Sequence, residues 1–129
     1  GDENYEVKFA SSGVSGAALE AITADNYQQI AARYGFDEGD FRESLGMNIV
    51  LYALIYTQAA PANAELEVPS TQNIMVMPWG LEWLTYEPLS STRLLISMTK
   101  PGATDPAYGM VQLLKGEDIK CIIYCKPTF

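Results

Sequence analysis

The 129-residue chain contains no histidine. That absence removes Ser-His and Cys-His nucleophile pairs, imidazole bases and His-ligated metal sites from anything this chain does alone. Positive charge is scarce as well: eight Lys and Arg stand against sixteen Asp and Glu, for a net charge of −8. A nucleic-acid surface must present Lys and Arg to displace counterions from phosphates. Lys115, Lys120 and Lys126 are too sparse for such a stripe. Nucleic acid and anionic lipid headgroups are therefore not expected as partners.

Cysteine occurs twice, at Cys121 and Cys125. In a strand the two would share a face about 13 Å apart, at about 3.3 Å per residue. A disulfide cannot span that separation. The Cys-x3-Cys spacing also fits neither a redox Cys-x2-Cys nor half a zinc ribbon. Two small buried hydrophobes is the reading taken, with an intermolecular bridge or a reactive thiol as the alternatives. Phosphate-loop, dinucleotide, calcium-loop and haem motifs are all missing. Ser15, in Gly13-Val14-Ser15-Gly16, lacks the spacing of a nucleophile elbow. No cofactor, no metal and no catalytic residue is assigned.

Hydrophobic residues make up 48% of the chain, enough to rule out disorder and to fill one core at this length. No repeat or linker divides it, so residues 1–129 are expected to form a single domain, with 1–4 as a flexible acidic lead-in. Acidity is front-loaded, with nine acids and three bases in residues 1–43. The first methionine is Met47, and Gly1 precedes a polar Asp2-Glu3-Asn4. Such a start matches what remains after a signal peptide is cut away. The expectation is a mature exported bacterial protein, secreted, periplasmic or lipid-anchored at the envelope; the alternative is a domain excised from a longer protein.

Tyr5 to Ala10 alternates with period two and reads as a strand. Ser11 to Gly16 is a Ser/Gly-rich break. Residues 17–34 read as helical, in one piece or two, with Leu19, Ile22, Tyr27, Ile30 and Tyr34 on one face and Thr23 and Asp25 as N-cap candidates. Gly35 stops the run and Phe36 packs back on it. Asp40 followed by Glu43 is a second helix-start signal. Ser44 to Ala64 is 21 residues without a charge, but Asn48, Gln58, Pro61 and Asn63 and the lack of basic flanks argue against a membrane span. Leu45 to Ala60 satisfies both a helical stripe and a β-rich run; a strand after a short helix is the reading taken.

From Glu65 onward the pattern is β. Strands are expected at 65–68, 74–77, 81–87 and 93–99, followed by a hairpin of 110–115 and 118–126 around Gly116. The expected class is α+β, with N-terminal helices packed on an antiparallel, curled β-sheet. The general layout resembles cystatin-like and NTF2-like rolls by analogy of architecture only, since no motif of either family is present.

The candidate binding residues are Trp79, Gly80, Glu82, Trp83 and Tyr86. If this segment is extended, Trp79, Leu81 and Trp83 project to one face and Glu82, Leu84 and Tyr86 to the other. Two tryptophans on one face suit a sugar ring or a protein partner, and Gly80 allows close approach. Core packing of both tryptophans is the competing reading. The sequence thus points to a non-catalytic module binding a protein, a small molecule or a glycan. Two alternatives remain: a His-free, carbohydrate-active enzyme using carboxylates such as Glu82 and Glu87, and an assembly module that forms homo-oligomers through a β-edge.

Overall fold

The structure is a computed structural model that describes residues 5–10, 16–57, 62–77, 79 and 82–128. Nine strands and two helices follow one another among these residues: β1 Lys8–Phe9, β2 Ala17–Ile22, α1 Tyr27–Tyr34, α2 Glu38–Gly46, β3 Val50–Tyr56, β4 Ala62–Glu67, β5 Ile74–Val76, β6 Leu84–Pro88, β7 Arg93–Met98, β8 Gly109–Lys115 and β9 Asp118–Pro127. The class is α+β. The strands form two sheets, one ordered β1-β4-β7-β6 and the other β2-β3-β9-β8-β5.

Period-two alternation decides what each strand buries. In β3, Leu54 and Tyr56 join the core between the two sheets, while Leu51, Ala53 and Ile55 turn to the helices. In β9, Cys121, Ile123 and Cys125 face the other sheet and Ile122 and Tyr124 face the helices. Leu66, Leu94, Ile96 and Met98 supply the opposing wall of the sandwich. Tyr56 crosses it, its hydroxyl donating to the Ile96 carbonyl at 2.5 Å. Three layers result: helices, five-stranded sheet, four-stranded sheet.

The helices lie between β2 and β3, which pair antiparallel from Ala17↔Tyr56 to Ile22↔Leu51. Helix α1 buries Ile30 and Ala31 and ends at Gly35, whose φ of 78° is a left-handed conformation that favours glycine. Helix α2 starts at Asp37, whose carboxylate accepts from the Asp40 N–H at 3.1 Å, and is braced by a Glu38–Arg42 pair one turn apart at 3.3 Å. Phe41 fixes α2 to the sheet by meeting Tyr124 edge to face at 4.8 Å. No helix among the described residues is long and apolar enough to cross a membrane.

Four expectations need correction. The helical run expected over 17–34 is a strand through Ile22, because pairing with β3 outweighs the helix propensity of Ala-Ala-Leu-Glu-Ala. Helix α1 is entered through Asn26, without a side-chain bond to its N-terminus. The α2 cap is Asp37 rather than Asp40. Finally, two sheets replace the single antiparallel one, and β3 runs parallel to β9, from Val50↔Cys121 to Tyr56↔Pro127. The break at Ser11 to Ser15 lies outside the described residues.

Candidate binding surface

The helix layer is narrower than the sheet beneath it. Its buried cluster draws on β2, β3, β9 and, through Met110, on β8, but takes no residue from β5. Met75 of β5 lies opposite Gln112, which lies opposite Ile122 of the helix-covered face. Alternation therefore puts Met75 on that face beyond the helices, and it is 49% exposed. Trp79, just past β5, is 46% exposed.

Trp79 is held from below. Its ring meets Tyr108 edge to face at 5.8 Å and 83°, and Tyr108 meets Phe36 at 5.1 Å and 68°. Phe36 contacts Phe41 at 5.4 Å and Tyr124 at 5.9 Å. An aromatic chain thus runs from the core under α2 out to a solvent-facing indole. Such contacts add about 0.5–1.5 kcal/mol each beyond area burial. The Tyr108 hydroxyl donates to Asp40 Oδ2 at 3.0 Å, which anchors the chain to α2. Burial, that bond, and the negative charges of Asp40 and Asp37 all push the Tyr108 phenol above its ordinary value. Close by, the Lys126 ammonium donates to the Ala107 carbonyl at 3.0 Å.

Gly109 sets the height of the indole. A Cβ there would lie 2.7 Å from the Trp79 carbonyl oxygen and 2.7 Å from Leu84 Cδ2. The turn bearing Trp79 can rest on the sandwich only because residue 109 has no side chain.

The five residues singled out in the sequence are divided. Trp79 faces solvent, whereas Trp83 is 2% exposed in the sandwich core. Trp79, Glu82 and Trp83 are themselves turn residues and not strand residues, and only Trp79 is accessible, so the expectation that both indoles share an accessible face is corrected. The Trp83 indole Nε1 is buried without a hydrogen-bond partner among the described residues. Tyr86, opposite Ile96, packs half-buried against the sandwich. Glu82 is exposed in the turn and Gly80 lies outside the described residues. Tyr108 and Asp40, which hold Trp79 in place, are not among the candidate residues of the sequence: Tyr108 lies between the strands expected at 93–99 and 110–115, and Asp40 carries only a helix-start signal.

Carboxylates do not gather elsewhere in a way that favours catalysis. Glu87 is exposed opposite Leu95 on the outer face of the four-stranded sheet. Glu65 and Glu67 pair with Arg93 at 3.3 and 3.9 Å, and Glu67 with Lys8 at 3.6 Å. A cleft of about 990 Å³ opens where β2 ends and β3 begins, with Glu6, Thr23, Asn48 and Tyr52 among its walls. Among the described residues, Glu6 is the one Asp or Glu lining it. Among the described residues, no three Cys, Asp or Glu are grouped to hold a metal ion. Cys121 and Cys125 are free thiols, buried in the sandwich, and burial pushes both well above the usual thiol range. Both are thus poor nucleophiles. No family model, curated protein or solved structure matches the chain.

Proposed function

We propose that this protein is a non-catalytic binding module whose ligand stacks on Trp79, with a neutral carbohydrate as the ligand class. The observation that carries the reading is the braced, solvent-facing indole: Trp79 stands on Tyr108, and Tyr108 is tied to Asp40. A sugar presents a C–H face to an aromatic ring and hydroxyls to nearby acceptors, and Asp40 keeps acceptor capacity beyond the Tyr108 bond. The negative charges of Asp40 and Asp37, which act on the Tyr108 phenol beneath the indole, disfavour anionic ligands. Binding is favoured over catalysis because a glycosidase needs two carboxylates flanking one bond, and Glu82 and Glu87 sit on exposed surface outside the 990 Å³ cleft. An extracytoplasmic setting belongs to the proposal, and two buried, unreactive thiols are compatible with an oxidising compartment.

Intrinsic fluorescence tests it. Trp83 is buried, so a ligand reaching the surface should change emission through Trp79. Titration with neutral oligosaccharides should shift emission in the native protein and leave Trp79→Ala unaffected, with a sulfated oligosaccharide giving no response. If no neutral oligosaccharide alters the spectrum at millimolar concentration, the carbohydrate reading is wrong.

A further inference from the structure

The two sheets have four edges, and three of them are blunted. β1 is two residues long and carries Lys8. β5 has three residues. β6 ends in Glu87 and in Pro88, which has no N–H to donate. These are the usual protections against edge-to-edge pairing. β2 has none of them: its six residues, Ala-Ala-Leu-Glu-Ala-Ile, include no Lys, Arg or Pro. Its one charge, Glu20, is already paired with Arg33 of α1 at 3.4 Å.

The phase of the ladder shows which groups the β2 edge offers. Gly16 accepts from the Thr57 N–H, so alternation makes Ala18↔Ile55, Glu20↔Ala53 and Ile22↔Leu51 the hydrogen-bonded pairs with β3. Ala17, Leu19 and Ala21 then direct their N–H and C=O groups away from the sheet. The Ala21 carbonyl is indeed taken from outside the ladder, by Asn26 Nδ2 at 2.9 Å. The other outward groups of these residues have no hydrogen-bond partner among the described residues.

We infer that β2 pairs antiparallel with β2 of a second copy of this chain, joining the two five-stranded sheets across a two-fold axis at Leu19. In that register Leu19 exchanges both bonds with its counterpart, and each Ala21 N–H donates to Ala17 of the other copy. The Ala21 carbonyl, which already accepts from Asn26 Nδ2, also faces the Ala17 N–H of the other copy and takes it on its second lone pair. Glu20 falls opposite Ala18 and not opposite its own counterpart, so no like charges meet directly. The strand itself thus supplies the small residue that Glu20 requires and the complementary donors and acceptors of an isologous contact. The net charge of −8 on each copy opposes approach, so association tightens as salt rises.

Sedimentation equilibrium from micromolar to submillimolar protein, at low and high salt, tests the pairing. The native chain should dimerise, and more tightly at high salt. Ala21→Pro removes an N–H that β3 does not use, so the monomer should fold while the dimer weakens about ten-fold through two symmetry-related lost bonds. Ala18→Glu leaves the backbone intact and sets a carboxylate against Glu20 of the other copy; it should weaken the dimer at low salt and recover at high salt. A native chain monomeric throughout overturns the inference, and so does equal dimerisation by natively folded variants, which would place the interface elsewhere.

Discussion

The two faces of the five-stranded sheet are packed by different means. Toward the other sheet the contacts are aliphatic and continuous: Leu54, Val111, Leu113 and Ile123 against Leu66, Leu94 and Ile96, with Tyr56 as the crossing group. Toward the helices aliphatic residues of the sheet meet an aromatic cluster of Phe36, Phe41 and Tyr124, and the cover stops short of the sheet edge, leaving Met75 and Trp79 in solvent. A sheet closed by another sheet has its whole area covered. Two short helices, of eight and nine residues, cover a strip. The uncovered remainder is where an accessible aromatic residue can be held by a rigid base, which is why the binding proposal attaches to this face.

The largest effect separating the two faces is expected at alkaline pH. Burial raises the phenols of Tyr56 in the sandwich and of Tyr124 and Tyr108 beneath and beside the helices. Below the ordinary tyrosine value of about 10 these phenols are neutral in both states, and the shifts have no effect. Above it the unfolded chain releases protons that the folded chain retains, so stability falls with rising pH. Thermal unfolding should collapse above that value. Tyr56→Phe should relieve the loss more than Tyr108→Phe, because Tyr56 is fully enclosed while Tyr108 is half-buried beside the solvent-facing indole. The opposite order would mean that the helix layer governs global stability.

Phe41→Ala comes next. The side chain is completely buried and packs against Phe36 and Tyr124, so its loss should cost about 3–5 kcal/mol in urea unfolding. Hydrogen exchange would locate the damage. Amides of α1 and α2 should lose protection before those of β4 and β7 if the layers open separately. Uniform loss would show that they unfold as one.

How much of this was legible depended on where the deciding contacts lie. Strands β4 to β9 carry their own alternation and turn residues, so their positions follow from the sequence within a few residues. β2 does not, because Ala, Leu and Glu favour helix locally and only pairing with Leu51–Tyr56 makes them a strand. The parallel β3–β9 pair joins segments far apart in the chain, and no local pattern encodes it. The tryptophans were misassigned for a related reason. Trp79 and Trp83 are turn residues, to which the alternation of a strand does not apply, and the groups that hold Trp79, Tyr108 and Asp40, come from a distant loop and a distant helix.

Gly109→Ala probes the seam between the faces. The added methyl would collide with the Trp79 carbonyl and with Leu84, one a backbone atom and the other a sandwich residue. Overpacking of this kind costs about 1–3 kcal/mol. Because moving the Leu84 side chain relieves only one of the two contacts, some of that cost should appear as displacement of the Trp79 turn. Trp79 should then become more accessible to acrylamide, while quenching of buried Trp83 stays unchanged. Stability loss with unaltered quenching would mean that β8 shifts and the Trp79 turn stays in place.

The smallest expected change in stability belongs to the residue on which the proposed function depends most. Trp79→Ala removes a half-exposed ring whose described ring contact is the edge-to-face meeting with Tyr108. Its cost should be about 1 kcal/mol, near the strength of one such aromatic pair. A core tryptophan such as Trp83 would cost about 3–5 kcal/mol on the same substitution. That contrast turns the comparison of faces into a measurement. A Trp79→Ala variant nearly as stable as the native protein means that folding has little use for the indole, which is the outcome the binding proposal requires. A loss as large as that of Trp83→Ala would make Trp79 a structural residue and remove the foundation of the binding proposal.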